Sequence, residues 1–287
     1  MKFEFLAQRL FNTPLAIAPG KAEVIMAALA DRLGISQIAR LNPAPLMMEE
    51  DEVYSSPGRN GRAGYEVVAG VAIIEVYGTL VQKLGSLRPF SGMTGYDGIR
   101  QNFLTALSDP EVKAIMLDID SPGGEVAGCF DLVDAIYRAR GKKPIWSILN
   151  ECAYSAAYAI ASAADHITVP RTGGVGSVGV IWVHMDWSKA LAGAGFKVTF
   201  ITYGESKADG HPEIPLSDEA LARFQADIDT MGELFVTTVA RNRNISFKAV
   251  RDTQAVTFLG AACVKQGLAD EVMAPDAAFR GLLAEIT

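Results

Sequence analysis

VKAIMLDIDSPGGEVAGCFDLVDAIYRAR, residues 112–140, changes its period once, and that change decides the fold class. Val112–Asp120 is an apolar, strand-length run. From Ala127 to Arg140 the rhythm is helical, with Phe130, Val133, Ala135 and Ile136 near one face. Between the two lie Ser121, Pro122, Gly123 and Gly124. Glycines there can turn the chain sharply and aim backbone N–H groups at a developing negative charge. The same four residues serve equally as a plain strand-to-helix turn.

Working outward, the alternation repeats. EVVAGVAIIEVYG (66–78) reads as a strand pair broken at Gly70, PIWSILN (144–150) as a strand and HITVP (166–170) as another. NECAYSAAYAIASAAD (150–165) reads as a buried helix with Ser155 near its start. GVIWVHMD (179–186) and KVTFITYG (197–204) are expected to be strands around a helical WSKALAGAG (187–195). PLSDEALARFQADIDTMGELFVTTVARNR (215–243) is a long helix with Ser217 as N-cap, acidic Asp218 and Glu219 in its first turn, and a stripe of Leu221, Phe224, Ile228, Met231 and Phe235. Strands alternating with helices predict an α/β domain with both sheet faces covered.

Upstream, KAEVIMAALADRLG (21–34) is a candidate amphipathic helix closed by Gly34, and NPAPLMMEEDEVYSSPGRNGRAG (42–64) has the Pro, Gly and acidic content of an exposed linker. Residues 1–64 are therefore expected to be an N-terminal helical extension and linker, and residues 65–287 the main domain.

The 287 residues are 49% hydrophobic and carry a net charge of −7, with Lys and Arg dispersed. That balance argues against tracking a nucleic-acid backbone. Cys129, Cys152 and Cys263 have neither a disulfide framework nor metal-ligand spacing, which fits a reducing compartment. No apolar run approaches the ~20 residues that span a bilayer. A cytoplasmic protein with no membrane or nucleic-acid partner is expected.

Gly174–Gly179 matches the dinucleotide fingerprint G-x-G-x-x-G literally. That motif works only when a helix follows and points its N-terminus at a pyrophosphate. Here β-branched and aromatic residues follow, and no acidic residue sits near Thr199. The glycines read instead as a place where the chain passes close to other backbone. No cofactor and no metal are expected, since His166, His184 and His211 are far apart and unpaired in spacing.

Among nucleophile and base pairs, a Ser-His-Asp triad would have to use one of those scattered histidines. The other option is a serine with a lysine made basic by enclosure in a dry pocket. Lys207, in ITYGESKADGHP, lies in a Gly-bounded loop just past an expected strand end. Ser155 would sit where a helix dipole and free N–H groups favour negative charge. Each feature has a plain alternative: close helix packing for Ser155, and a solvated loop residue for Lys207.

Taken in order, DIDSPGG, AYSAAYAIASAAD, GGVGSVGV and GESK resemble the signal peptide peptidase A (SppA) family of serine peptidases over about residues 65–273. The resemblance implies a Clp protease/crotonase-like fold. It makes Ser155 the nucleophile, Lys207 the general base and Ser177 a supporting residue that orients the lysine. Backbone N–H groups of Gly124 and Ala156 would form the oxyanion hole. It also implies a ring-like homo-oligomer in which neighbouring subunits can complete the site.

GTLVQKLGSLRPFSGMTGYDGIR and LAIAPGKAEVIMAALADRLG resemble the bacteriophage capsid-assembly protease branch. That branch implies polypeptide substrates (scaffold, capsid or portal proteins) cut during prohead maturation, in the host cytoplasm and the prohead interior. The alternatives are a soluble cellular peptidase that degrades signal peptides or other proteins, and a capsid component that keeps the fold without turnover. Two departures stand out: Ala156-Ala157 occupies a place where many cellular members carry two glycines, and the chain ends at FRGLLAEIT, so that any scaffold is expected on a separate chain.

Overall fold

The computed structural model describes residues 13–19, 21, 64–83 and 92–287. The expected helix at 21–34 and nearly all of the linker at 42–64 lie outside the described residues. The frame is a sheet whose main path runs β10-β7-β6-β5-β3-β2. Its centre is parallel: β3 (Val71–Val81) pairs β5 (Ala114–Glu125), which pairs β6 (Ile145–Tyr154), which pairs β7 (His166–Val169). β2 (Glu66–Val68) folds back on β3 through Ala69-Gly70, and β10 (Glu271–Val272) closes the other edge. The α/β class read from residues 112–140 is the class observed.

Helices cover both faces because the central strands are apolar on both. One face packs on α1 (Tyr96–Ser108), α2 (Cys129–Tyr137) and α3 (Ala156–Ser162), with Phe103, Leu117, Leu132, Ile136 and Tyr158 fully buried between them. Side chains two residues apart share a strand face. Ala114 and Met116 thus lie on the opposite side, under Ala278 and Leu282 of α8 (Pro275–Glu285). Further along that face the sheet turns polar. The Tyr77 hydroxyl donates to Asp118, and the Asn150 amide donates to both, at 3.0 and 2.6 Å.

Two interactions hold α3 in place, and a third fixes the segment that one of them bonds to. The Tyr158 hydroxyl donates to the Leu268 carbonyl at 2.9 Å. Arg140 donates to the carbonyls of Ser162, Ala163 and Ala164, satisfying acceptors that the helix end leaves open. Arg243 grips Asp270 with two bonds of 3.0 and 2.7 Å, and Asp270 also accepts the Ile167 amide at 2.8 Å. Burial opposes ionisation of Asp270, but the Arg243 bonds outweigh it and hold the carboxyl below its ordinary range.

Three expectations need correction. NECAYSAAYAIASAAD is not one helix: β6 runs to Tyr154 and α3 starts at Ala156, because Ser121↔Ala153 and Tyr154↔Gly176 pairings extend the strand. GVIWVHMD forms only an isolated bridge at Ile181, and KVTFITYG forms no ladder. Both have strand composition, but a strand exists only against a partner, and Ile201 and Tyr203 are fully exposed. The short α4 (Ser188–Gly193) lies between them, as expected.

The long helix α5 (Asp218–Arg243) has Ser217 as its N-cap, accepting the Ala220 amide at 3.1 Å. Its apolar stripe divides. Phe235, Val236 and Val239 are buried, while Leu221 near the start is exposed and Phe224 stacks on the Trp182 ring at 4.3 Å.

Candidate active site

Ser155 sits between the end of β6 and the first residue of α3, at φ 53° and ψ −120°. A residue with a β-carbon rarely adopts such a backbone. Its surroundings force it. The Ser155 amide donates to the Gly176 carbonyl at 2.8 Å, tying it to β8 (Gly174–Gly176), and its carbonyl accepts the Ala159 amide, opening the helix. The side chain is fully buried, and its hydroxyl donates to the Gly179 carbonyl at 3.4 Å. A carbonyl holds that hydrogen but cannot take the proton, so a base has to come from elsewhere.

The SPGG segment is not the turn its sequence suggested: paired to β1 and β3, it continues β5 to Glu125 and lies against this serine. A β-carbon on Gly123 (φ +100°) would stand 3.0 Å from Cβ of Ser155 and 2.2 Å from the carbonyl oxygen of Ala16. Gly124 packs so closely on β3 that a β-carbon would fall 1.8 Å from the Leu80 carbonyl oxygen. Ser121 braces this end of β5: its hydroxyl donates to the Gly78 carbonyl at 2.6 Å and accepts the Gly123 amide at 3.1 Å. Ala156, as the first residue of α3, has an amide with no partner within its helix.

Ser177 follows the carbonyl that fixes Ser155. It is buried at φ 55°, and its amide donates to Val256 at 3.1 Å. The glycine run passes close to other backbone, as read from its sequence. Gly176 (φ +118°) approaches the Val256 carbonyl so closely that a β-carbon would meet it at 2.5 Å, and no helix follows. Four of the five expected site residues therefore lie along neighbouring strand ends. Lys207 does not join them within this chain. It is exposed in the short 3₁₀ turn Glu205–Ala208 and, among the described residues, makes no side-chain hydrogen bond or ion pair.

The Cys152 thiol is pushed up to about 12 by burial and by the hydrogen bond to Asp120 at 3.3 Å. His166 lies near Asp270 and against Trp146, and His211 stands 2.9 Å from Glu213, while His184 stacks on Trp182 with both ring nitrogens buried and without a hydrogen-bond partner among the described residues. No group of His, Cys, Asp and Glu among the described residues could hold a metal. No described helix is long and apolar enough to cross a membrane.

The sequence reading missed one part of the site. β1 (Leu15–Ile17) lies antiparallel to Gly123–Glu125, beside the candidate nucleophile. Its signal was present as a short apolar run between Pro14 and Pro19, but three residues carry too little pattern to place.

A sheet ending in a buried, strained serine at a helix start, flanked by paired glycines, is the arrangement of a serine-type acyl-transfer site. The profile of peptidase family S49 matches residues 138–285, and the chain belongs to that family. It is 41% identical over 268 residues to the head-tail preconnector protein GP5 of Enterobacteria phage P21, covering 92% of this chain and 54% of that protein. To the capsid assembly protease C of Escherichia phage lambda it is 36% identical, covering 93% of this chain and 62% of that one. The chain thus spans little more than half the length of these relatives. A putative signal peptide peptidase SppA of Enterococcus faecium is 31% identical over 60% of this chain and 52% of its own length. Among solved structures, a ClpP1 mutant from Listeria monocytogenes aligns with 74% of this chain and 94% of its own at a TM-score of 0.45 and 14% identity.

Proposed function

We propose that this chain is a serine endopeptidase of phage head assembly, working through a Ser155/Lys207 dyad. The observation that carries the chemistry is the strained, buried Ser155 at the start of α3, beside Gly123-Gly124. In this reading the neutral Lys207 amine takes the Ser155 proton as Oγ attacks the scissile carbonyl. Amides of Gly124 and Ala156 hold the oxyanion, and Ser177 orients the amine. The lysinium then protonates the leaving amine, and water, deprotonated by the same lysine, releases the acyl group.

A lysine in water keeps its proton, so Lys207 needs enclosure to serve as a base. Its loop is exposed, and so are Phe196, Ile201 and Tyr203 in the segment that leads into it. Large apolar side chains left exposed in one segment suit an interaction face. A second copy of the chain covering that face would bury the lysine and bring it to a neighbour's Ser155, giving a ring-like homo-oligomer. The phage setting rests on the two phage relatives, and it assigns polypeptide substrates among head proteins in the host cytoplasm and prohead interior.

The test is cleavage of an unfolded protein and of co-encoded head proteins by wild type, Ser155→Ala, Lys207→Ala and Lys207→Arg. Wild type alone is expected to cut, because arginine does not surrender its proton. Cleavage by both alanine variants would overturn the dyad.

A further inference from the structure

We infer that Pro14–Ala18 is a substrate-like occupant of the peptide groove in front of Ser155, and that the groove takes extended chains with apolar side chains on either side of a small residue. The inference rests on Ser155 being the site at which peptides are bound.

Ser155 is fully buried, so a peptide from solution cannot meet its hydroxyl until something in front of it moves. Part of what lies there is β1. The Ala16 carbonyl and Cβ of Ser155 both approach the single point where a β-carbon on Gly123 would stand, at 2.2 and 3.0 Å.

The segment is held as a bound peptide is held, by main-chain pairing on both flanks. On one side Leu15, Ala16 and Ile17 face Glu125, Gly124 and Gly123, extended by Ala18 N–H to the Pro122 carbonyl at 2.8 Å and Val126 N–H to the Pro14 carbonyl at 3.3 Å. On the other side Leu15 and Ile181 exchange two bonds of 2.9 Å. The far edge of β5 at Gly123 and Gly124 is already taken by Thr79 and Leu80 of β3. An incoming peptide that pairs beside Ser155 therefore needs the edge β1 holds, and the two exclude each other. Pro14 and Pro19 bound the segment and confine its ladder.

The side chains define the preference. Leu15 and Ile17 project to the same face of the strand and are 4% exposed, and Ala16 between them is fully covered. An acidic residue in place of Leu15 or Ile17 would carry charge into a position closed to water.

The experiment measures binding of a fluorescent peptide, Thr-Pro-Leu-Ala-Ile-Ala, to full-length protein by polarisation. Ser155→Ala serves as background so that turnover plays no part. Adding Ile17→Asp ejects the resident segment and is expected to tighten binding by about tenfold or more, because occupancy no longer competes. The milder pair Leu15→Ala and Ile17→Ala is expected to act in the same direction without a buried charge. The same peptide with Asp for Leu and Ile is expected not to bind. Equal binding to the background and to both opened proteins overturns the inference, as does weaker binding accompanied by loss of cooperative unfolding in both, which would make β1 a structural strand. Tight binding to the opened proteins with no cleavage by any Ser155-containing form would overturn the peptidase reading alone.

Discussion

Replacing Ser155 by glycine is expected to stabilise the protein while ending catalysis. At φ 53° and ψ −120° the residue lies in territory that glycine enters freely and serine does not. Strain of this kind costs of the order of 1–3 kcal/mol, and the upper part applies to a region nearly confined to glycine. Two losses oppose the relief. Glycine gives the unfolded chain more freedom, about 0.5–1 kcal/mol, and one buried carbon leaves, about 0.8 kcal/mol. The hydroxyl's bond to Gly179 is long at 3.4 Å and adds little. The net gain is about 1 kcal/mol, or roughly 2 °C in Tm for a chain of this size. Ser155→Ala keeps the β-carbon and the strain, so it is expected to match wild type within about 0.5 kcal/mol. Urea unfolding of the three proteins, followed by far-UV circular dichroism, separates these effects. A glycine variant no more stable than the alanine variant would refute the claim that the fold holds Ser155 under strain.

Gly124→Ala is expected to cost more than about 4 kcal/mol, since its β-carbon would fall 1.8 Å from the Leu80 carbonyl in a sheet with no room to yield; Tm and soluble yield report it. The Cys152 thiol, pushed up to about 12, is expected to resist alkylation near neutral pH, so iodoacetamide should leave cleavage intact; rapid inactivation traced to Cys152 would contradict this. Asp270→Asn is expected to cost about 2 kcal/mol at neutral pH, less than a fully buried pair, by stranding Arg243. Because the Asp270 carboxyl is held below its unfolded value, its contribution is complete above that value. It is lost as pH falls through the folded one, so the gap between the two proteins should close below about pH 4 in urea titrations.

The α/β frame was legible because buried parallel strands and the helices covering them impose different periods, as at residues 112–140. Ser155, Ser177, Gly124 and Ala156, the set that the resemblance implied, lie along neighbouring strand ends. The end of β6 was not, because Glu151–Tyr154 is held by long-range pairing to β5 and β8 that no local pattern encodes. KVTFITYG misled for the opposite reason: its β-branched composition describes a surface that fits a partner, and the described residues supply no ladder for it. Leu221 at the start of α5 likewise keeps a helical stripe but lies uncovered. β1 escaped notice because its meaning lies in its place beside Gly123, not in its three residues.

The central claim is that Ser155 and Lys207 form one site, assembled when copies of the chain meet. The direct measurement mixes Ser155→Ala with Lys207→Ala, each inactive alone, after dissociation and reassembly, and follows cleavage of an unfolded protein. Random mixing in a closed ring pairs an intact serine with a neighbour's intact lysine at about a quarter of the sites, so about a quarter of wild-type activity is expected to return. Mixed rings, verified by mass, that stay as inactive as either parent would contradict the account.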